Sequence, residues 1–401
     1  MSNTRDATRR DFLAASAVGL VSLACGPMSQ AQSGEPQLDD DLLYVGTYTR
    51  EGQTDGIHRV RMNRSSGKLQ HAGSVSSGAN PSFLAIHPNG LVLYAVSETA
   101  KYNDKPTGAV SAFDIAQSTG ALTRRSEQSS EGGAPCFVST DRTGKVVLVA
   151  NYAGGNVALL PLTSDGALSP ATDVEQHLRL NESPSGRGVS HAHCIVADPS
   201  NRFALAADLG LDRVFVYRLD LAKGSLEYVV GGDVVMRPGA GPRHIAFHPS
   251  LPLVFVANEL DSTVSTLRFD AARGTLSPLH ISSTLPDGWT GKNFPGDIHI
   301  APTGRTLYVS NRGHNSIAVF SIAESTGGVT LEQTVSTGGD WPRNFSLGPT
   351  GRWLLVANQR SDSVVVLARD EKTGRLEPTR EQIGIERPAC VRFRAHTGVI
   401  T

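Results

Sequence analysis

The segment GPRHIAFHPSLPLVFVANEL, residues 241–260, puts Arg243 and His244 at one end of an apolar run and Glu259 at the other. A carboxylate beside a guanidinium is at its plainest an ion pair, worth only ~0–1 kcal/mol when exposed. It is also a chemical tool: the carboxylate takes a proton from water, and the guanidinium grips an oxyanion, carboxylate or phosphate with two N–H groups. Comparable groups stand in four other short stretches. SHAH offers His191 and His193, and Asp208 ends the strand that follows. PGDIH holds Asp297 and His299, SNRGH holds Asn311, Arg312 and His314, and WPRN holds Arg343 and Asn344. His-x-His is a zinc-ligand spacing, but no third ligand accompanies it, so neither a metal nor another cofactor is expected. The chain has no G-x-S-x-G elbow, so nothing points to a serine nucleophile.

These groups must be positioned by strands. Val-rich runs of five to eight residues recur, Gly (41) and Pro (22) are plentiful, and no long stretch has 3.6-residue apolar periodicity. A unit of about fifty residues repeats. Its first strand opens PSFLAIHPNG, PCFVSTDRTG, AHCIVADPSN, PRHIAFHPSL, PGDIHIAPTG and PRNFSLGPTG, and PACVRFRAHTG closes the chain. Second strands end at Ser97, Asn151, Asp208, Asn258, Asn311 and Asn358, followed by a third strand and a fourth. LLYVGTYT (42–49) is a second strand with no first, and PACVRFRA (388–395) is a first strand with no second. Joining them closes a ring without a free sheet edge. The fold predicted is all-β, a seven-bladed propeller of four-stranded antiparallel blades with a composite closing blade.

In such a ring the first strand of each blade lines the central channel, and the second returns to the same mouth. Residues 243 and 259 are centred on Leu251, inside the HPSL turn, so Arg243 and Glu259 should meet at that mouth. The second position of the first strand reads Ser82, Cys136, His193, Arg243, Gly296, Arg343 and Ala389 around the ring. Facing positions after the second strand read Glu98, Tyr152, Leu209, Glu259, Arg312 and Gln359. Charge therefore gathers in the sector built by residues 190–360. His87 and His248 fall at the opposite turns and are expected to pack there.

The 37 Lys and Arg balance 38 Asp and Glu, with no basic block, which argues against a nucleic-acid partner. The N-terminus, with Arg9-Arg10-Asp11-Phe12-Leu13 before a short apolar run, reads as a twin-arginine export signal. Ser29-Gln30-Ala31 fits its cleavage site. The chain thus divides into a signal at 1–31, a linker at 32–41 and one propeller domain at 42–401. The twin-arginine export machinery is an expected partner, and the expected location is periplasmic or exported. The apolar run is too short to span a membrane. Ser22 stands where a lipoprotein site before Cys25 wants a large apolar residue, so lipid anchoring is not expected. Cys136, Cys194 and Cys390 remain, an odd count in apolar strands, which points to buried thiols and no disulfide framework.

The chain resembles the seven-bladed propeller lactonases of the bacterial 6-phosphogluconolactonase type, a family that includes the fungal carboxymuconate cycloisomerases. The resemblance covers about 42–395 and rests on four stretches. They are SHAHCIVADPSNRFALAADLGLDRVFVYRLD, GPRHIAFHPSLPLVFVANEL, NFPGDIHIAPTGRTLYVSNRGHNSIAVF and WPRNFSLGPTGRWLLVANQRSDSVVVL. It implies a catalytic set of one His, one Glu and two Arg: Glu259, Arg243, Arg312 and either His191 or His193. Ring position favours His193. Ser190 replaces the Pro usual before the His pair. The implied activity is hydrolysis of a sugar-derived lactone, with Glu259 as base, the His as acid and the arginines on substrate anion or oxyanion. His244, Asp208, Asp297, His299, Asn311, His314, Arg343 and Asn344 are the candidates for substrate contact. Two alternatives stay open: a cycloisomerase using the same groups, and a periplasmic propeller that binds a ligand or protein without turnover.

Overall fold

The computed structural model describes residues 39–53, 55–177 and 188–394. The expectations for the export signal, its cleavage site and most of the linker lie outside these residues. Within them, seven sheets follow one another along the chain, each antiparallel and four-stranded in its main path. The fourth carries an extra strand, Val234–Val235, beside Arg213–Asp220. The composite blade is present: Pro388–Phe393 pairs antiparallel with Asp40–Thr47, with Val45 opposite Val391. This blade begins at Asp40, two residues before the predicted boundary, because Asp40 and Asp41 pair with Asn63 and Met62. Among the described residues there is no helix long and apolar enough to cross a membrane.

The middle strands are buried on both faces, as a stacked blade requires. Val146–Asn151, Phe203–Asp208, Leu253–Asn258 and Trp353–Asn358 are buried at every position. Their continuous apolar runs therefore show no alternation in the sequence.

An aromatic residue at the start of the second strand links each of several blades to the next. The hydroxyls of Tyr44, Tyr94 and Tyr308 donate to the carbonyls of Gly120, Gly166 and Gly374 at 2.8, 2.9 and 2.7 Å. Each glycine lies in the outer turn of the following blade. Trp353 closes the circle by donating from Nε1 to Arg64 O at 2.8 Å in the composite blade. Phe203 has no hydroxyl and presses instead on Gly274 (φ +72°), where a Cβ would lie 2.2 Å from Cε1. Such a buried bond contributes ~1 kcal/mol, and losing its donor strands a buried carbonyl. The turn histidines act at the same end of the blades: His87 and His248 reach Gly144 O and Gly304 O of the next blade at 3.0 and 2.9 Å. Cys136, Cys194 and Cys390 are buried free thiols.

Candidate active site

The ring at the channel mouth is built from β-bulges. Pairing jumps from Pro135 to Phe137, from Ala192 to Cys194, from Pro242 to His244, from Pro342 to Asn344 and from Pro388 to Cys390. It also jumps from Pro295 to Ile298. The residues left out of the ladder are Cys136, His193, Arg243, Arg343 and Ala389, with Gly296 and Asp297. An unpaired bulge residue is freed from strand alternation and re-aims its side chain.

Arg243 and Glu259 do meet. Arg243 Nε lies 2.9 Å from Glu259 Oε2, and Arg312 Nη2 approaches the same oxygen at 2.8 Å. The Arg243 Nε–H is not aimed at that oxygen, so this contact is one of charge more than of a directed hydrogen bond. Other acceptors fix the two guanidiniums. Arg243 Nη1 donates to Gly296 O, while Arg312 donates from Nε to Phe294 O at 3.0 Å and from Nη2 to Pro295 O at 3.1 Å. Arg243 and Arg312 are 2% and 3% exposed, whereas the Glu259 side chain keeps 18% of its surface open to the mouth. Burial would raise the carboxyl's pKa, but Arg312, Arg243 and Arg343 outweigh it and hold Glu259 below the usual glutamate range. Glu259 is therefore held in its anionic form and is a weak base.

Arg343 joins this group to a second carboxylate. Its Nη2 donates to Tyr48 Oη at 2.6 Å, and Tyr48 in turn donates to Glu98 Oε2 at 2.7 Å. Ser82 Oγ donates to the same Glu98 oxygen. Tyr48 and Glu98 were not among the candidates. Glu98 occupies a predicted ring position, and Tyr48 is its equivalent in the composite blade. Tyr48 N bonds Arg387 O at 3.1 Å just as Glu259 N bonds Gly241 O at 2.7 Å.

The two histidines of SHAH part company. His193 is the bulge residue, buried against Tyr152 and His244 with Nδ1 3.6 Å from Cys136 Sγ. Burial, with Arg243, His244 and Arg343 nearby, pushes its pKa well below 6.5 and keeps it neutral. His191 lies before the strand, half-buried, stacked on Tyr152 at 4.5 Å between ring centroids. Its Nδ1 is 3.0 Å from Tyr152 O. A carbonyl only accepts, so Nδ1 carries a proton and Nε2 is the atom left for substrate or water.

The remaining candidates divide. His244, Asp297, His299 and Asn344 form a layer beneath the mouth. His244 Nδ1 and His299 Nε2 lie 2.7 and 2.9 Å from the two oxygens of Asp297, and Asn344 Nδ2 donates to Asp297 as well. His244 Nε2 lies 3.0 Å from Arg243 Nη1, so this layer underpins Arg243. Asp208, Asn311 and His314 are occupied elsewhere. Asp208 binds His177 and Ser190 through Oδ2 and the backbone N–H groups of His191, Gly210 and Leu211 through Oδ1. Asn311 ties Thr284 and Asn293, and His314 Nδ1 meets Ser316 at 2.7 Å. Cavities of about 350 and 410 Å³ open among the turn residues Pro88, Pro249 and Pro302; the smaller is lined by His244, Asp297 and His299 from below, and Glu259 lines neither. No group of three or more His, Cys, Asp or Glu suited to a metal occurs among the described residues.

Comparison with known proteins agrees with this architecture. The family described as "Lactonase, 7-bladed beta-propeller" matches residues 42–393. The 6-phosphogluconolactonase of Bacillus subtilis is 34% identical over 351 residues, covering 87% of this chain and 97% of that one. The 6-phosphogluconolactonase of Formosa agariphila is 31% identical over 72% of this chain and 81% of its own length. The solved structure of the periplasmic gluconolactonase of Pseudomonas aeruginosa superposes with a TM-score of 0.82 at 31% identity, covering 89% of this chain and 99% of that one. The chain is thus a member of the seven-bladed β-propeller lactonase family.

Proposed function

We propose that the protein hydrolyses an unphosphorylated, sugar-derived lactone at the channel mouth without a metal. The observation that carries this is Glu259, a carboxylate open to the mouth and held between two carbonyl-braced arginines. Water at Glu259 adds its oxygen to the lactone carbonyl carbon and gives its proton to the carboxylate. The oxyanion that forms is met by Arg243, Arg312 and Arg343. The bond from carbonyl carbon to ring oxygen then breaks, and the departing oxygen takes back the proton held by Glu259, or takes one from Nε2 of a His191 protonated on both ring nitrogens. Ionisation of the new acid releases one proton. Cyclic esters are reactive enough that a weak base suffices when the carbonyl is strongly polarised, which suits a Glu259 of lowered pKa. His193, held neutral and buried, serves as a wall of the site.

Charge supports the unphosphorylated substrate. Three arginines against Glu259 and Glu98 leave one positive charge, a match for a single oxyanion or one product carboxylate. A phosphate dianion would leave the site net negative. A periplasmic place of action, after export by the signal read at 1–31, goes with such a substrate, and the similar Pseudomonas protein is a periplasmic gluconolactonase. The test is proton release by the purified mature protein with phosphorylated and unphosphorylated aldonolactones. Faster turnover of the unphosphorylated compounds is expected. Turnover of neither sinks the lactonase reading, and preference for the phosphorylated ones sinks the charge argument. Loss of muconate absorbance would favour the cycloisomerase instead.

A further inference from the structure

At the entrance to most blades the chain passes through a left-handed residue just before a proline. Asn80, Ala134, Gly241, Trp341 and Arg387 have φ of 48°, 51°, 62°, 66° and 43°, and each precedes Pro81, Pro135, Pro242, Pro342 or Pro388. The turn has a purpose in every case, because it presents the carbonyl that closes the hairpin mouth. Those carbonyls accept from the N–H groups of Glu98, Tyr152, Glu259, Gln359 and Tyr48. Glycine and asparagine suit this conformation, and a bulky side chain is strained in it. Trp341 is the bulkiest of the five.

The indole is placed against the site. Arg312 Cζ lies 5.4 Å from its ring centroid and Arg360 Cζ 3.4 Å, with Phe294 packed beside it at 5.8 Å. Arg312 is thus enclosed by the two carbonyls it donates to, by Glu259 and by an aromatic face. We propose that Trp341 is a positioning residue that accepts backbone strain in order to hold Arg312 against Glu259 under an aromatic cover. The indole screens the Arg312–Glu259 contact from water and blocks the rotamers by which a long arginine would leave the mouth. The backbone strain at residue 341 is thus offset by order in a neighbouring blade. In its effect on turnover the proposal rests on the lactonase reading.

Three variants test it. Trp341→Gly relieves the left-handed strain and removes the indole, so it should unfold at a temperature no lower than that of Trp341→Ala, and higher if relief dominates. Its kcat/KM should fall about tenfold, the order a desolvated cation–π contact represents. Trp341→Ala keeps the strain without the ring and should lose both stability and activity. Trp341→Phe should recover most of the activity. A Trp341→Gly variant with wild-type kcat/KM, or one less stable than Trp341→Ala, overturns the proposal. A substrate-free readout separates this failure from failure of the lactonase reading. In a double-mutant cycle of thermal unfolding, Trp341→Gly and Arg312→Lys should be non-additive, and additivity also overturns the proposal. A wild-type protein inert toward lactones leaves that cycle fully readable.

Discussion

Tyr48 and Arg343, 295 positions apart in the chain, meet at 2.6 Å across the seam where the ring closes. Tyr48 passes the contact on to Glu98 at 2.7 Å, so the composite blade bridges the arginines and the second carboxylate of the mouth. Tyr48→Phe keeps the ring under Arg343, whose Cζ lies 5.0 Å from its centroid, and deletes only the hydroxyl. Both polar partners are then left without it in a part-buried site. Stability should fall by about 1–2 kcal/mol. kcat should fall more than KM rises, since the hydroxyl places Arg343, which in the proposed reaction meets the oxyanion formed in the transition state. Steady-state kinetics with urea unfolding check both; a change confined to KM would contradict this placement.

Glu259→Gln separates the ion-pair role of the carboxylate from its chemistry. The variant leaves Arg243 and Arg312, nearly inaccessible to solvent, without the anion between them. Removing one partner of a buried charged group costs about 3 kcal/mol. Activity should fall by at least about 100-fold, the scale of a lost general base. Proton release with the preferred lactone is the measurement. Stability lost with turnover intact would reduce Glu259 to a structural ion pair.

The meeting of Arg243 and Glu259 was legible because antiparallel pairing around the HPSL turn is fixed by its length. The bulge was not. Pairing runs Pro242 to Asn258 and His244 to Ala257, and one extruded residue leaves no trace in an apolar run. The same event hid the different fates of His191 and His193, which strict alternation puts on one face. Polar residues at strand ends look alike in sequence, so the hydrogen bonds by which Asp208 and Asn311 satisfy buried N–H and carbonyl groups are visible only in the structure. Tyr48 and Trp341 depend on ring closure and on a backbone angle, which no local pattern encodes.

Gly296→Ala tests the bulge that supports Arg243. A Cβ there would lie 2.7 Å from Ser310 Oγ, 2.9 Å from Arg343 O and 3.0 Å from Pro342 O. Two of the three obstacles are backbone of the next blade, so the inner strand must shift and carry with it the carbonyl that accepts from Arg243. A stability loss of about 1–3 kcal/mol is expected from such overpacking, with a fall in kcat/KM. Adding Ser310→Ala removes one contact only and should not restore activity. Full rescue by that second change would show that the backbone approach is not limiting.

Acid sensitivity should come from histidines before carboxylates. Burial and Arg243 push His244 down to about 3 against its Asp297 partner, and His193 is pushed well below 6.5. Both stay neutral in the folded protein, while in the unfolded chain they take up protons as pH falls through 6.5. The unfolded state then binds more protons, so stability drops by about 1.4 kcal/mol per pH unit for each histidine well below 6.5. For His244 the loss continues until about pH 3, where the folded protein also takes up the proton. Glu259 and Asp297 are shifted the same way in pKa but matter later. Their stabilisation is intact above the ordinary carboxylate range and goes only as pH falls through their lowered folded values. Urea unfolding between pH 7.5 and 5 should therefore show a flat region and then a decline starting near 6.5. In His244→Asn, whose amide can still donate to Asp297, that slope should become shallower, the remainder coming from His193 and from His58 and His314, whose pKa values are also lowered by burial. An unchanged slope would place the acid sensitivity outside this layer.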